Sequence, residues 1–329
     1  MYALGFLSIL LGGLLNGSFV IPSRFIKHHN NEQIWLYYTA IGLILIPWLL
    51  LLVIYPKSIN LYYSIGIYNL SLLIVSGLIF GIGQVCFFYA IDKIGIAASF
   101  AVNLGIGVIL GSLFVIGYQS MLFSYRGNLI CIAIILILLS LWINYKLNHL
   151  QQKKLYKNRP NQNTQLCWLL ALFAGIASGL QNISFIIVSN HSHSFVNSTN
   201  SYWYWPLFLS IAAIPMFIGF LIRYKKNHLL NLNHLPSIKL LSPIPLTLIA
   251  MMGLCFSGSL ILYSLGMSLF TQTEIIDGWP ILMITIILTS QVWGIIFDRV
   301  KQLSLLHKFY RFISIIVLIV AIILISLSH

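Results

Sequence analysis

Long apolar runs alternate with short polar segments along the whole chain, and ten of the runs have the length of a membrane-spanning helix. About 20 residues in helical conformation cross the roughly 30 Å hydrocarbon core of a bilayer. A transmembrane barrel is excluded, because its short strands alternate apolar and polar residues. The predicted spans are approximately Tyr2–Ile21, Ile34–Tyr55, Leu70–Ile91, Gly95–Gly117, Gly127–Tyr145, Leu166–Ser189, Tyr202–Ile222, Ile244–Met267, Thr273–Phe297 and Phe309–Leu327.

Two short phrases within these runs occur twice. Residues 13–19 read GLLNGSF and residues 179–185 read GLQNISF, so five of seven positions agree at an offset of 166. Residues 77–80 (GLIF) and 253–256 (GLCF) agree at an offset of 176. Each half has an odd number of spans, so its copy enters the membrane from the opposite side. We expect an all-α polytopic membrane protein made of two inverted five-helix repeats, 1–145 and 166–329, joined by a basic linker, 146–165.

Charge is scarce, and its placement predicts an orientation. Hydrophobic residues make up 59% of the chain and charged residues 7%, more apolar mass than a soluble protein of 329 residues can bury. Sixteen of the 18 Lys and Arg residues lie in odd-numbered loops, and only Lys57 and Arg126 lie in even-numbered ones. Positive residues stay on the cytoplasmic side, so we expect the odd-numbered loops in the cytoplasm and both termini outside. Orientation thus accounts for the net charge of +13 without a nucleic-acid partner.

Several chemistries find no support in the sequence. The four cysteines lie in apolar runs without CxxC spacing, which predicts neither disulfides nor a metal site. His191 and His193 form an isolated HxH in a Ser/Asn-rich segment, which is typical of solvated polar sequence. The first residues lack the basic region and cleavage site of a signal peptide. No GxxxxGK[ST] motif and no cluster of catalytic groups occur, so we predict no cofactor, no ATP-driven pump and no enzyme.

A series of motifs follows in order along the chain. They are Gly12-Gly13, Asn16-Gly17-Ser18-Phe19, Pro22, Lys27, Glu32, Trp35, Pro47-Trp48, Phe80-Gly81-Ile82-Gly83, Gly95-Ile96-Ala97-Ala98, Gly111-Ser112-Leu113, Tyr263-Ser264-Leu265-Gly266 and Gln291-Val292-Trp293-Gly294. Together they resemble the L-rhamnose–proton symporter family of the drug/metabolite transporter superfamily. The resemblance implies a ten-helix carrier of the bacterial inner membrane that moves a small polar solute, a sugar, together with a coupling cation, H⁺.

Polar side chains in the middle of apolar spans are the candidate binding groups. Asn16 and Asn182 require polar partners at membrane depth, so both are expected to face the bundle interior. They either line a central cavity and bind a sugar hydroxyl or join helices beside small residues. Gln84 and Gln181 are candidates of the same kind.

Aromatic residues divide into two predicted groups. Those near span ends are expected to form an interfacial belt: Trp48, Tyr37, Tyr38, Tyr62, Tyr63, Tyr202 and Trp205. Trp203, Trp279 and Trp293 are candidates for stacking on a sugar ring, and Trp279 is included in the predicted binding set.

Five acidic residues occur, and three are expected near the membrane surface. Asp92 and Asp298 adjoin basic residues at span ends. Glu32 is expected in loop 1, either solvated or paired with Lys27. Surface roles are therefore expected for these three residues.

Glu274 and Asp277 are the two acids that can lie within a span. A carboxylate inside a membrane is costly in its charged form and binds a proton more readily. We therefore expect Asp277 to carry the coupling proton, with Glu274 as its relay or gate. The alternative is an N-cap role for Asp277 at the membrane surface, with Pro280 in the first helical turn.

Together with the resemblance, these observations favour a secondary active transporter that moves a deoxysugar (rhamnose-like) or a similar small polar solute by proton symport and alternating access. The alternative is a drug/metabolite exporter for amino acids, nucleobases or related metabolites. Cation export is expected to use a carboxylate in the first helix of a repeat, where this chain has Asn16 and Asn182, so a neutral solute is favoured. The sequence leaves open the exact sugar, H⁺ or Na⁺ coupling, uptake or efflux, and whether the carrier is a homo-oligomer.

Overall fold

The computed structural model describes residues 1–26, 30–63, 65–155, 164–191, 201–229, 243–271, 273–297 and 305–327. Within them the chain is all-helical, and ten helical segments are long and apolar enough to cross a membrane, as expected. The helices are α1 (Tyr2–Ser18), α2 (Asn31–Ala40), α3 (Ile46–Ile54), α4 (Ile67–Ile94), α5 (Ile96–Tyr118), α6 (Tyr125–Leu155), α7 (Thr164–His191), α8 (Tyr204–Leu229), α9 (Pro243–Leu269), α10 (Ile275–Phe297) and α11 (Leu305–Ser326). Short 3₁₀ segments, Ile21–Phe25, Pro56–Tyr63 and Ser201–Trp203, follow α1 and precede α4 and α8.

The second span is one membrane crossing with an irregular centre. A π turn, Ile41–Leu45, connects α2 to α3, whose second residue is Pro47. Proline lacks an N–H and its ring displaces the carbonyl four residues back, so the α-helical pattern is interrupted here. Gly42 in this turn lies against α9, where a Cβ added to Gly253 would be 2.6 Å from the Gly42 Cα. The irregular turn thus lies where two spans approach each other closely.

Helices α6 and α7 extend into the predicted linker. α6 continues to Leu155 and α7 begins at Thr164, so the predicted linker, 146–165, is helical at both ends. Residues 147–155 contain neither Gly nor Pro, so no helix-stopping residue occurs there. The rest of the linker, 156–163, lies outside the described residues. The division into two repeats stays a prediction.

Helices of the first and second halves pack reciprocally. α1 contacts α9 and α10, and α7 contacts α4 and α5. α5 also contacts α10, and α6 contacts α11. Glycines permit the close approach: a Cβ added to Gly13 would lie 2.5 Å from Thr285 of α10, and one added to Gly179 would lie 2.7 Å from Leu110 of α5. The two halves therefore form one interlocked bundle.

Aromatic residues at the start of α8 belong to the core. The fully or almost fully buried residues among those expected in the interfacial belt are Tyr38, Tyr202 and Trp205. The Trp205 indole donates to Ser264 Oγ at 2.8 Å, and Tyr62 donates to the Trp203 carbonyl. Burial raises the pKa of the Tyr62 phenol above its ordinary value, which keeps this donor protonated. The belt prediction is wrong for these buried residues, because closeness to a span end does not define which side of the helix faces lipid.

Candidate functional site

A cavity lies between the two halves. Its walls come from six spans, those of α1, α4 and α5 in the first half and α7, α9 and α10 in the second. The polar groups in its wall are Asn16, Gln84, Asn103, Ser178, Gln181 and the indole of Trp279. The remaining wall is apolar and includes five phenylalanines: Phe19, Phe80, Phe87, Phe100 and Phe256. None of the described lining residues is charged.

Four of the predicted binding residues lie in this wall: Asn16, Gln84, Gln181 and Trp279. The Asn16 amide donates to Ser259 Oγ of α9 at 3.3 Å. Gln84 and Gln181 contribute side-chain amides to the wall. Their role in binding stays a prediction.

Asn182 lies behind the wall instead of lining it. Its side chain is fully buried, and its Oδ1 accepts a hydrogen bond from the Tyr263 hydroxyl at 2.9 Å. The Tyr263 ring in turn meets the Trp279 ring edge-on, with centroids 5.9 Å apart. Gln181 faces the cavity instead, because successive helical residues point about 100° apart. Asn182 is therefore linked to the cavity wall through Tyr263 and Trp279.

Trp279 is seated between small residues of α5. Its indole Nε1 donates to the Gly107 carbonyl at 3.0 Å. A Cβ added to Gly111 would lie 2.5 Å from the same nitrogen, so a larger residue there would collide with the ring. The Gly107-xxx-Gly111 spacing thus allows close packing, as such spacings do in membrane helices. The other two tryptophans considered for stacking, Trp203 and Trp293, are not among the described lining residues.

Asn103 of α5 is a cavity residue that the sequence reasoning missed. It is 3% exposed, and its Oδ1 has no hydrogen-bond partner among the described residues. A buried acceptor without a partner is costly, so this oxygen is a strong candidate to accept a hydrogen bond from a bound hydroxyl. The available signal was an amide within an apolar run, the same signal that identified Asn16.

Asp277 lies in the first turn of α10, near one end of the bundle. Its Oδ2 forms an ion pair with Arg126 Nη2 at 2.7 Å and is 3.5 Å from the Tyr2 hydroxyl. The Asp277 side chain has no exposed surface. Asp277 is the third residue of α10, which begins at Ile275, so it lies inside the first helical turn and is not the N-cap. Its ion pair was not foreseen because Arg126 belongs to the other half.

Glu274 stabilises the turn that precedes α10. Its Oε2 accepts a hydrogen bond from the Thr271 backbone N–H at 2.7 Å, and the residue is 5% exposed. Its side chain thus interacts with its own connecting segment. The predicted role of Glu274 as relay or gate stays a prediction.

A second ionic cluster involves α2, α4 and α8. Arg223 contacts Glu32 Oε1 at 3.0 Å and Asp92 Oδ2 at 2.7 Å. The Asn31 amide donates to Asp92 Oδ1 at 3.2 Å. Glu32 is buried in the first turn of α2, so the expectation of a solvated loop residue is wrong. The alternative partner, Lys27, lies outside the described residues.

The described residues contain no candidate metal site. No group of three His, Cys, Asp or Glu residues that could hold a metal ion occurs in the part of the chain that the structure describes. Of the HxH pair, His191 is the last residue of α7 and His193 lies outside that part.

Comparison with known proteins finds L-rhamnose–proton symporters. The chain is 19% identical to the one from Enterobacter sp. (strain 638), 22% to the one from Klebsiella pneumoniae (strain 342) and 21% to the one from Shigella boydii serotype 18, each over 173 residues. These alignments cover 51% of this chain and 50% of each relative, so the chain spans about half the length of the curated relatives it matches. No family model matches the chain. The similarity is distant and supports the resemblance over that half.

Proposed function

We propose that this protein is a secondary active transporter that carries a neutral deoxysugar, or a similar small polar solute, together with a proton. The observation that carries the proposal is the uncharged cavity between the halves, whose wall combines amides with aromatic rings. Amides hydrogen-bond hydroxyl groups, and aromatic faces cover the apolar C–H surface of a ring. L-rhamnose, the solute named for the similar symporters, is the first solute to test.

The proposed architecture is that of the drug/metabolite transporter superfamily, with two inverted five-helix repeats in the bacterial inner membrane. Reciprocal packing supports it: the contacts of α1 with α9 and α10 correspond to those of α7 with α4 and α5. The cavity wall supports it as well, since the same three spans of each half contribute. Rocking of one repeat against the other would expose the cavity to each side in turn.

The proposed binding set consists of Asn16, Gln84, Asn103 and Gln181, with Trp279 as the stacking ring. The oxygen of Asn103 and the amides of the two glutamines supply both acceptors and donors, as a polyhydroxylated solute requires. In this proposal Asn182 is retained as a residue that contributes through Tyr263 and Trp279.

Asp277 is proposed to carry the coupling proton. Protonation neutralises its carboxylate and removes the charge attraction to Arg126, 2.7 Å away. This event changes the contact between the two halves, which is what coupling to a rocking motion requires. Glu274 is proposed to pass the proton between the connecting segment and Asp277.

Uptake by purified protein in liposomes tests the proposal. An inward proton gradient should drive accumulation of labelled L-rhamnose, and a protonophore should abolish the accumulation. A sodium gradient at equal pH should give none. Absence of L-rhamnose exchange, with exchange of amino acids or nucleobases instead, would contradict the proposal and favour the exporter alternative.

A further inference from the structure

Salt bridges that join the two halves occur at two places in the bundle. Arg126 of the first half binds Asp277 of the second, with side chains 12% and 0% exposed. Arg223 of the second half binds Glu32 and Asp92 of the first. The sense of the charges is reversed, because the first half provides the cation in one cluster and the anions in the other.

The two clusters flank the cavity on opposite sides. Asp277 precedes the cavity residue Trp279 by two positions, and Asp92 follows the cavity residue Phe87 by five, which correspond to about 3 and 7.5 Å of helix. α4 and α10 are the third and ninth spans, so they run in the same direction through the membrane. The end of α4 and the beginning of α10 therefore lie at opposite ends of the bundle.

Each cluster is accompanied by weaker contacts between helices. The Tyr2 hydroxyl is 3.5 Å from Asp277 Oδ2 at one end. The Gln33 amide donates to the Tyr224 hydroxyl at 3.2 Å at the other. These hydrogen bonds add further contacts between the two halves on both sides of the cavity.

The Arg126–Asp277 pair is incompletely satisfied. Arg126 Nε and Asp277 Oδ1 are both buried and have no hydrogen-bond partner among the described residues. Buried polar groups in a permanent structural contact are nearly always paired, because each unpaired group costs free energy. The pair is therefore held less firmly than its short distance alone indicates, which suits a contact that opens during a cycle.

We propose that the two clusters are the gates of the carrier: Arg126–Asp277 closes one entrance to the cavity, and Arg223 with Glu32 and Asp92 closes the other. Both ion-pair clusters are formed in this structure. Each gate opens in turn as the halves rock. This inference rests on the proposed transport function and adds to it the two arginines and the sides on which they act.

Side-specific labelling of one cavity cysteine tests the gates. The four native cysteines, Cys86, Cys131, Cys167 and Cys255, are replaced by alanine, and Ser178→Cys is introduced as the reporter. A membrane-impermeant methanethiosulfonate reagent is applied to either face of proteoliposomes without solute. Separate Lys57→Cys and Lys93→Cys proteins define the faces, since both lysines are exposed and lie in an even-numbered and an odd-numbered loop.

Arg126→Gln should raise reporter labelling about five-fold or more from the Lys57 face only, and Arg223→Gln should do so from the Lys93 face only. Lys57→Gln and Lys93→Gln are the matched charge-removal controls and should change neither rate. Exchanging the charges, Arg126→Asp with Asp277→Arg, should restore protection. Unchanged labelling from both faces, or a rise from the wrong face, would overturn the gates.

A second variant guards against misfolding caused by a lone buried charge. The double variant Arg126→Met with Asp277→Leu removes both charges. Paired apolar replacements commonly preserve folding, so reporter labelling from the Lys57 face can still be measured on it. Binding of L-rhamnose is measured on the same preparations. If L-rhamnose still binds and reporter labelling is unchanged, only the proposed gates are contradicted. If labelling is side-specific but L-rhamnose does not bind, only the proposed solute is contradicted.

Discussion

The indole Nε1 of Trp279 donates a 3.0 Å hydrogen bond to the backbone carbonyl of Gly107, so a side chain of the second half is anchored on the first. The ring occupies space that a side chain on Gly111 would need. One wall of the cavity therefore depends on contacts between the halves, and any motion of one half against the other changes that wall.

Gly111→Ala should displace Trp279, because the new Cβ would lie 2.5 Å from its Nε1. Overpacking of this kind costs about 1–3 kcal/mol, so we expect a lower melting temperature and altered tryptophan fluorescence. Gly117→Ala is the matched control, since it lies on the same helix and a Cβ there meets nothing within 4 Å. Equal melting temperatures for the two variants would rule out the close packing of Trp279 against Gly111.

Asn103→Ala should weaken solute binding. Loss of the partner for a desolvated hydroxyl costs about 1–3 kcal/mol, or about 5- to 150-fold in Kd. Ser112→Ala is the control, because Ser112 is buried on the same helix without a described partner for its hydroxyl but is not in the cavity wall. A titration in which Asn103→Ala binds like the parent would remove Asn103 from the binding set.

Asn182→Leu and Tyr263→Phe should both reduce binding, and their combination should cost less than the sum of the two. Residues that act through one contact show such coupling, typically about 0.5–3 kcal/mol in a double-mutant cycle. Asn16→Leu should add independently to Asn182→Leu, since Asn16 lines the cavity from another helix. Parent-like transport by Asn16→Leu with Asn182→Leu would leave both amides with a packing role only.

Asp277→Asn should separate exchange from accumulation. The substitution preserves shape and removes the titrating group, so exchange of solute between equal pools should continue. Proton-driven accumulation and solute-induced proton uptake should be lost. Exchange in the same liposomes is the internal control, and retained accumulation would end the coupling role of Asp277.

The sequence predicted which polar side chains lie at membrane depth, because a polar side chain in an apolar run needs an interior partner. Asn16, Gln84 and Gln181 were identified by this rule and all lie in the cavity wall. The rule gives depth without direction, however. It did not distinguish Gln181, which faces the cavity, from Asn182, which lies behind the wall.

The partners in the ion pairs could not be predicted from the sequence, since they depend on contacts between distant segments. Glu32 was expected in loop 1, either solvated or paired with Lys27, and it lies buried against Arg223. Asp277 was assigned to the helix interior or to a cap, and it pairs with Arg126. Local sequence contains no signal for either pairing, whereas the number of spans follows from local composition alone.

Calorimetric titration of the purified protein with L-rhamnose and with L-mannose tests the central claim most directly. L-mannose differs by a hydroxyl on C6, and burial of an unpaired hydroxyl against the phenylalanine wall costs about 1–3 kcal/mol, so L-rhamnose should bind about 5- to 150-fold more tightly. Gln181→Leu should abolish most of that binding. Absence of L-rhamnose binding, or unchanged binding in Gln181→Leu, would contradict a sugar site in this cavity.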